Sequence, residues 1–346
     1  MTEHHINVIA IVGACVPERR AYASRVAERD RAMLLSAARL AVAIDPIREA
    51  IALAPWAGSG GSVVVELPAD IRATEIIGAF SSEPDDLRLT RVVCVVDASH
   101  LLTDLMRDDY VRARGSALHV ARSELLVTQV EFASHIVLVN WEALSTPDLS
   151  TLMALANHLA PRARLSLQQG GDSLDGRAAS IAGGATHALE SGQDGAGWIA
   201  LLNSEFDPHM TDPRVSGFRY THERPLHPGR LQRVLDQRIE PGEFGTVARS
   251  AGFCRLATRP ATVASWDHVG RVISFEPLGS GVSIDAELLA IGQDLAFIGI
   301  DLDRDGLGSA LDEAALTDAE FEAGPDAWLA LPDPFPEWAT ADDAHE

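Results

Sequence analysis

Short apolar runs, rich in β-branched residues, alternate with charged stretches along the first half of the chain. The runs lie at residues 6–12, 62–67, 91–97 and 136–140, with a shorter one at 163–165. Such runs are typical of strands that are buried on both faces of a parallel sheet. The intervening stretches at 17–31, 70–80, 115–132 and 147–159 have helical spacing. We therefore predict an α/β domain with a mostly parallel sheet that carries helices on both faces.

The second half has a different pattern. Gly, Ser, Asp and Ala dominate residues 168–205, which predicts a flexible connection after a first domain of residues 1–167. Strand-like segments follow at 218–221, 246–258, 271–275 and 295–302, with helical ones at 228–237 and 303–315. We predict a smaller α+β domain over 206–336, with Asp303 as a helix N-cap. The stretch 333–346 is predicted to be an acidic tail that frays, and its part from 337 lies outside the second domain.

Composition excludes several classes of function. The net charge of −22 disfavours broad binding to nucleic acid, although a local patch of arginines could still dock on RNA. All 28 basic residues are arginine, which excludes lysine Schiff bases and a phosphate-binding loop that ends in Gly-Lys-Ser/Thr. Three scattered cysteines predict a reducing, cytoplasmic setting without disulfides. Neither a membrane span nor a signal peptide is expected from the apolar runs.

Four segments in the second half carry a family resemblance. They read GFRYTHERPLHPGRL (217–231), ARSAGFCRLATRPATVASW (248–266), LAFIGIDL (295–302) and GPDAWLALPDPFPEW (324–338). In this order they resemble the C-terminal domain of the CobW-like family. The first half is similar to the family through VVCVVDA (92–98), LLVTQVEFASHIVLVN (125–140) and LAPRARL (159–165). Members of that family are P-loop GTPases that handle cobalt, zinc or nickel, and the resemblance implies a P-loop-GTPase-like first domain.

The resemblance leaves a remnant of a nucleotide site. Of the phosphate-binding loop only Gly13 matches, and the loop continues with Pro17, which lacks an N–H donor, and Glu18, which is negative. Glu66 matches the family acid that helps to hold Mg²⁺ at the end of a strand. Asn140 matches the first residue of the guanine-binding Asn-Lys-x-Asp motif, whose other positions are lost. Gly13, Glu66 and Asn140 are thus the candidate cofactor-binding residues.

The family's metal motif, Gly-Cys-x-Cys-Cys, has no counterpart here, because residues 40–52 contain no cysteine. In its place Asp45 and Pro46 are typical of the start of a helix. His222 and His227 are the remaining candidate metal ligands. For His227 the alternative interpretation is a hydrogen-bonded structural residue at a domain interface.

Two functional hypotheses follow, with a third beside them. The first is a non-catalytic, pseudo-GTPase adaptor that serves in zinc or other metal limitation. For this hypothesis no cofactor is expected. Its partner would be a protein, with the ribosome or a ribosome-associated factor named because some actinobacterial relatives act there, and the lysine-free composition suits a high-GC genome. The alternative is a weak GTPase metallochaperone that uses GTP with Mg²⁺ or Zn²⁺. It would employ Arg19 or Arg20 for phosphate, Glu66 for metal and Glu142 for the base. The third is a decayed paralogue with neither ligand nor partner.

Overall fold

The computed structural model describes residues 5–58, 61–82, 86–114, 118–169, 195–278 and 292–338. The chain forms two compact units. The first comprises Met1–Gly197 with Asp207–Met210, and the second comprises Trp198–Phe206 with Thr211–Glu346. Most of the predicted connection, from 170 to 194, lies outside the described residues.

Strands and helices alternate in the first unit, as the apolar pattern predicts. The strands are β1 (Ile6–Val12), β2 (Met33–Leu35), β3 (Ser62–Glu66), β4 (Leu87–Asp97), β5 (Tyr110–Arg112), β6 (His119–Ala121), β7 (His135–Val139) and β8 (Arg164–Leu167). The helices are α1 (Val16–Asp30), α2 (Ala37–Leu40), α3 (Pro46–Ala57), α4 (Ala73–Ser81), α5 (Leu101–Leu105), α6 (Arg122–Glu131) and α7 (Thr146–Leu159).

Six of these strands form one parallel sheet in the order β2-β3-β1-β4-β7-β8. The two central strands β1 and β4 are buried over most of their length. Tyr22 and Val26 of α1 pack against Ile9, Val93 and Val137 on one face of the sheet. This is the predicted α/β architecture, and it brings the carboxyl ends of all six strands to one edge.

The prediction of a helix over 115–132 is wrong in its first part. Strands β5 and β6 form an antiparallel hairpin, and α6 begins only at Arg122. The predicted helix start at Asp45 is confirmed, because the Asp45 carboxylate accepts hydrogen bonds from the N–H groups of Ile47 and Arg48 at 3.0 Å.

The second unit is an antiparallel sheet covered by helices. Its strands are β9 (Val215–His222), β10 (Thr246–Cys254), β11 (Ala264–Val269), β12 (Val272–Pro277) and β13 (Gln293–Ile300), in the sheet order β12-β11-β10-β13-β9. Its helices are α8 (Gly197–Leu202), α9 (Pro228–Val234), α10 (Arg304–Ala314), α11 (Asp318–Glu322) and α12 (Pro325–Trp328). Helix α8 lies inside the predicted flexible connection.

The core of the second unit is built between the sheet and α10. Trp266 and Phe297 project from the sheet and meet Leu307 and Leu311, which lie one turn apart on α10. The predicted N-cap is confirmed, since the Asp303 carboxylate accepts a hydrogen bond from the Gly306 N–H at 3.0 Å. The α+β prediction for this half therefore holds.

The prediction that the chain frays from 333 onward is wrong for 333–338. The Trp338 indole donates a hydrogen bond to the Phe275 carbonyl at 2.9 Å, and the Phe335 ring packs edge-on against Phe275 at 4.8 Å. Aromatic side chains hold this segment against β12, and the acidic residues that follow, 339–346, lie outside the described residues. Among the described residues, no helix is long and apolar enough to cross a membrane.

Candidate functional site

The candidate residues of the first unit meet at the carboxyl edge of the parallel sheet. Gly13 directly follows β1, Glu66 ends β3, Asp97 ends β4 and Asn140 directly follows β7. Ligands of open α/β sheets bind at this edge, where loops leave successive strands. The fold therefore places the sequence-predicted residues at the edge where a ligand would be expected.

Packing against β4 explains why position 13 is glycine. The φ angle of Gly13 is +141°, and a Cβ atom there would lie 2.2 Å from the Val95 carbonyl oxygen. The Cys15 thiol donates a hydrogen bond to the same oxygen at 3.2 Å. Burial, with the nearby charges of Glu18 and Asp97, raises the pKa of Cys15 to about 12. The side chain is therefore a neutral thiol, whereas metal binding requires the thiolate.

A buried ion pair occupies the inside of this loop. The Arg19 side chain is only 2% exposed, and its Nε donates to Oε1 of Glu66 at 3.2 Å. Its NH1 group donates to the Gly13 carbonyl oxygen. The second oxygen of Glu66 accepts a hydrogen bond from the Ala37 N–H at 3.1 Å. Gly13 and Glu66 are thus brought together, and the guanidinium of Arg19 lies between them.

This arrangement does not fit a bound triphosphate. A phosphate-binding loop directs backbone N–H groups inward, whereas here the inward group is the Gly13 carbonyl, already bonded to Arg19. The first turn of α1 contains Pro17 and Glu18. The Glu18 carboxylate supplies the negative charge that the helix N-terminus favours, a place that a phosphate takes in nucleotide-binding loops.

Asn140 belongs to a separate set of contacts. Its backbone is left-handed, with φ of 55°, and its Nδ2 donates to Asp97 at 2.7 Å and to Glu18 at 3.3 Å. Burial acts to raise the pKa of Asp97, but hydrogen bonds from Ser99 and Asn140 outweigh it and lower that pKa. The side-chain amide of Asn140 therefore donates to two carboxylates of this chain. Recognition of guanine would need the same amide to bond the edge of the base.

A cleft of about 590 Å³ opens beside these residues and is rich in acid. Four carboxylates line this acidic cleft: Glu18, Asp70, Asp97 and Asp104. Two arginines also line it, Arg107 and Arg122, and both contact Asp109. The lining therefore carries more negative than positive charge, which opposes the binding of a free nucleotide polyphosphate.

The two candidate metal ligands of the second unit have different surroundings. Nδ1 of His222 accepts a hydrogen bond from the Arg224 N–H at 3.1 Å. His227 is the residue before α9, and its N–H donates to the Ala314 carbonyl at 2.8 Å. Burial and the charge of Arg230 lower the pKa of His227. Within the described ranges, no group of three or more His, Cys, Asp or Glu side chains is placed to hold a metal ion.

Sequence reasoning missed one pairing and one member of the site. It treated Arg19 as a candidate for phosphate and Glu66 as a candidate for metal, without foreseeing that they pair with each other. It also passed over Asp97, although a carboxylate that ends a buried parallel strand was the signal that identified Glu66.

The two units have different sheet architectures. A doubly wound parallel sheet is followed in the chain by an antiparallel sheet with helices. Residues 215–315, which span β9 to the residue after α10, match the model of the cobalamin synthesis protein cobW C-terminal domain. The second half of the chain therefore contains a match to the cobW C-terminal domain, and in this respect the chain is similar to the CobW-like family.

Two curated relatives extend the similarity into the first unit. The zinc-regulated GTPase metalloprotein activator 1 of Dictyostelium discoideum is 26% identical over 285 residues, 75% of this chain and 59% of the relative. A zinc chaperone of Mycobacterium tuberculosis is 24% identical over 287 residues, 75% of this chain and 64% of the relative. The chain thus matches less than two thirds of the length of each.

A solved structure also aligns with the chain. The Zn(II)-bound YjiA GTPase from E. coli covers 90% of this chain and 99% of its own, at 13% identity and a TM-score of 0.35. A similarity at this level carries no argument about function.

Proposed function

We propose that this CobW-like protein serves metal homeostasis as a binding or adaptor protein and does not hydrolyse GTP. One observation carries the proposal: Arg19, bonded to Gly13 and Glu66, occupies the loop in which a nucleotide's phosphates would lie. A bound phosphate would have to displace a buried guanidinium and leave Glu66 without its cation, and such separation of a buried ion pair is costly.

The link to metal rests on the relatives. Their printed names describe a zinc-regulated GTPase metalloprotein activator and a zinc chaperone, and the cobW C-terminal domain is shared with the family. Zinc is therefore the first metal to test. A ribosome or ribosome-associated partner is part of the same proposal, and it predicts cosedimentation with ribosomal subunits. The acidic surface counts against direct contact with rRNA.

A GTP-binding metallochaperone is the second candidate, and the names of the relatives favour it over a pseudo-GTPase. In this hypothesis Arg19 and Glu66 separate when GTP and Mg²⁺ bind. Arg20 and Glu142 are exposed at the same edge of the sheet, and they would take the phosphate and the base.

Phosphate release from GTP distinguishes the two candidates. The purified protein is assayed with saturating Mg-GTP, with and without equimolar Zn²⁺, beside Arg20→Ala and Glu142→Ala variants. Both substitutions lie at exposed positions. The adaptor proposal expects no release above the buffer rate in any sample. Zinc-stimulated release that falls at least tenfold in either variant overturns it and supports the metallochaperone.

A further inference from the structure

Basic side chains converge at the amino ends of the strands, on the opposite edge of the sheet from the acidic cleft. The register pairs Val93 with His135 and His135 with Arg164 across β4, β7 and β8. Paired residues of neighbouring parallel strands project from the same face, and Arg91 lies two residues before Val93. Arg91, His135 and Arg164 therefore share the face of the sheet on which α1 packs.

Helix α1 adds two further guanidinium groups to this face. Arg25 and Arg29 lie one turn apart on α1, three and seven residues after the buried Tyr22. Burial, followed by the charges of Arg91, Arg164 and Arg29, lowers the pKa of His135 to about 4. Burial raises the pKa of Tyr22, and Arg29, Arg25 and Arg91 act in the opposite direction. We call the four arginines Arg25, Arg29, Arg91 and Arg164 the arginine cluster.

A purely structural role explains only part of this cluster. Arg29 lies in the last turn of α1, where a cation favours the helix C-terminus, and it forms two bonds to Asp30 at 2.7 and 2.8 Å. The charge of Asp30 acts on Arg91 as well, so one carboxylate faces two arginines of the cluster. Arg25 and Arg164 bring further positive charge to the same face in a chain whose net charge is −22. Mutual repulsion of adjacent guanidinium groups is a cost that a bound anion would relieve.

We propose that the arginine cluster binds a phosphate-type oxyanion. Guanidinium forks match the oxygen pairs of a phosphate group, and they stay charged at all physiological pH values. Arg164 is exposed and the other three arginines are half-buried, so an anion can approach from solvent. The neutral ring of His135, bonded to the Ser166 hydroxyl at 2.8 Å, contributes a polar wall. The arginine cluster lies at the opposite edge of the sheet from Gly13 and Glu66. The proposal therefore does not depend on whether the loop after β1 binds GTP.

The test measures binding of inorganic phosphate to the full chain by ³¹P NMR line broadening and by the shift in Tm. Samples contain 5 mM phosphate or chloride at equal ionic strength, which keeps general salt effects small. We expect phosphate to raise Tm by about 2–4 °C. Arg164→Ala removes an exposed cation without disturbing the core, and Arg25→Ala removes a second cation of the cluster. Arg48→Ala, at a position that is 85% exposed on α3, is the matched control.

The proposal predicts that Arg164→Ala and Arg25→Ala each remove at least half of the Tm shift, whereas Arg48→Ala keeps all of it. Equal shifts in all four proteins, or no line broadening with the wild type, would overturn the proposal. A 12-nucleotide RNA distinguishes two sources of the phosphate group. Displacement of phosphate by micromolar RNA assigns a nucleic-acid backbone, and retention of phosphate assigns a small phosphate-bearing molecule. Both results support an oxyanion site.

Discussion

At the scale of single residues, the Arg19–Glu66 pair defines what the loop after β1 can do. Both side chains are 2% exposed, and each makes a second hydrogen bond, to the Gly13 carbonyl and from the Ala37 N–H. Buried ion pairs contribute little net stability over apolar substitutes, but one partner left alone is strongly destabilising. The pair therefore behaves as a closed unit, and neither residue is available for a ligand while the other remains.

Single and double substitutions of this pair test that view. Glu66→Ala is expected to lower the free energy of unfolding by about 3–5 kcal/mol, because it leaves the Arg19 charge buried and uncompensated. Arg19→Met with Glu66→Leu should recover most of that loss. Urea unfolding monitored by circular dichroism measures both. A loss of unfolding free energy below about 1 kcal/mol for Glu66→Ala would mean that the loop is open to water. The interpretation of the Arg19–Glu66 pair as a closed unit would then be wrong.

Gly13 gives a second prediction at this scale. Gly13→Ala places a Cβ atom against the Val95 carbonyl at a φ that L-residues rarely adopt, so we expect a loss of about 2–4 kcal/mol. Gly78→Ala is the control, since a Cβ in that helix meets nothing within 4 Å. It should stabilise by about 0.5–1 kcal/mol. Equal effects of the two changes in urea unfolding would contradict a packing role for Gly13.

His268 predicts a dependence of stability on pH. Its side chain is buried beside Ser250, with 3.1 Å between Nδ1 and the hydroxyl oxygen. Burial, with the charge of Arg249, lowers its pKa from 6.5 to about 4. The unfolded chain therefore takes up this proton first as pH falls. The contribution of the neutral His268 side chain to the free energy of unfolding is complete above pH 6.5, and it is lost as the pH falls from 6.5 to 4.

The measurement compares urea unfolding of the wild type and of His268→Gln at pH 7 and pH 4.5. The carboxylates titrate in both proteins, so the difference between them reports on His268. We expect the wild type to lose on the order of 2 kcal/mol more than the variant across this interval. An equal loss in both proteins would show that His268 is already protonated or solvated in the folded state.

At the scale of elements, Arg259 holds residues 333–338 against the antiparallel sheet of the second unit. Its Nε donates to Asp333 at 3.0 Å, its NH2 group donates to the carbonyls of Phe335 and Pro336, and its guanidinium stacks over Trp338 at 4.3 Å. Arg259→Ala should release this segment and expose the edge strand β12.

Amide hydrogen exchange across Val272–Pro277 provides the readout. We expect exchange there to accelerate at least tenfold in Arg259→Ala and to remain unchanged in Arg233→Ala, an exposed arginine of α9. Unchanged protection in Arg259→Ala would mean that the aromatic contacts of Phe335 and Trp338 hold the segment without the arginine.

The elements that could be predicted from sequence are those whose own residues decide their structure. The run at 6–12 is apolar except for Asn7, and it forms β1 with the predicted bounds. Strand β11 was missed because its buried residues Ala264, Trp266 and His268 alternate with polar ones, a pattern that a search for continuous apolar runs passes over. In the candidate site, the pairing of Arg19 with Glu66 could not be predicted from sequence, because the two residues are 47 positions apart and only the fold brings them together.

At the scale of the whole molecule, the first unit has two edges of opposite character. The carboxyl edge of its sheet carries the acidic cleft and the closed Arg19–Glu66 pair, and the amino edge carries the arginine cluster. The second unit contains the residues 215–315 that match the cobW C-terminal domain. In the first unit, the loop after β1 is filled by the side chain of Arg19, which is bonded to Gly13 and Glu66.

Isothermal titration of the purified protein with Mg-GTP tests this central claim most directly, with a variant that combines Arg25→Ala and Arg164→Ala titrated in parallel to remove binding at the arginine cluster. The account predicts no saturable heat in this double variant, because Arg19 and Glu66 occupy the place of the phosphates. A dissociation constant of about 10 μM or tighter in that variant, roughly −7 kcal/mol of binding free energy, would contradict the account. It would show that the pair opens for GTP and would establish the GTP-binding metallochaperone in its place.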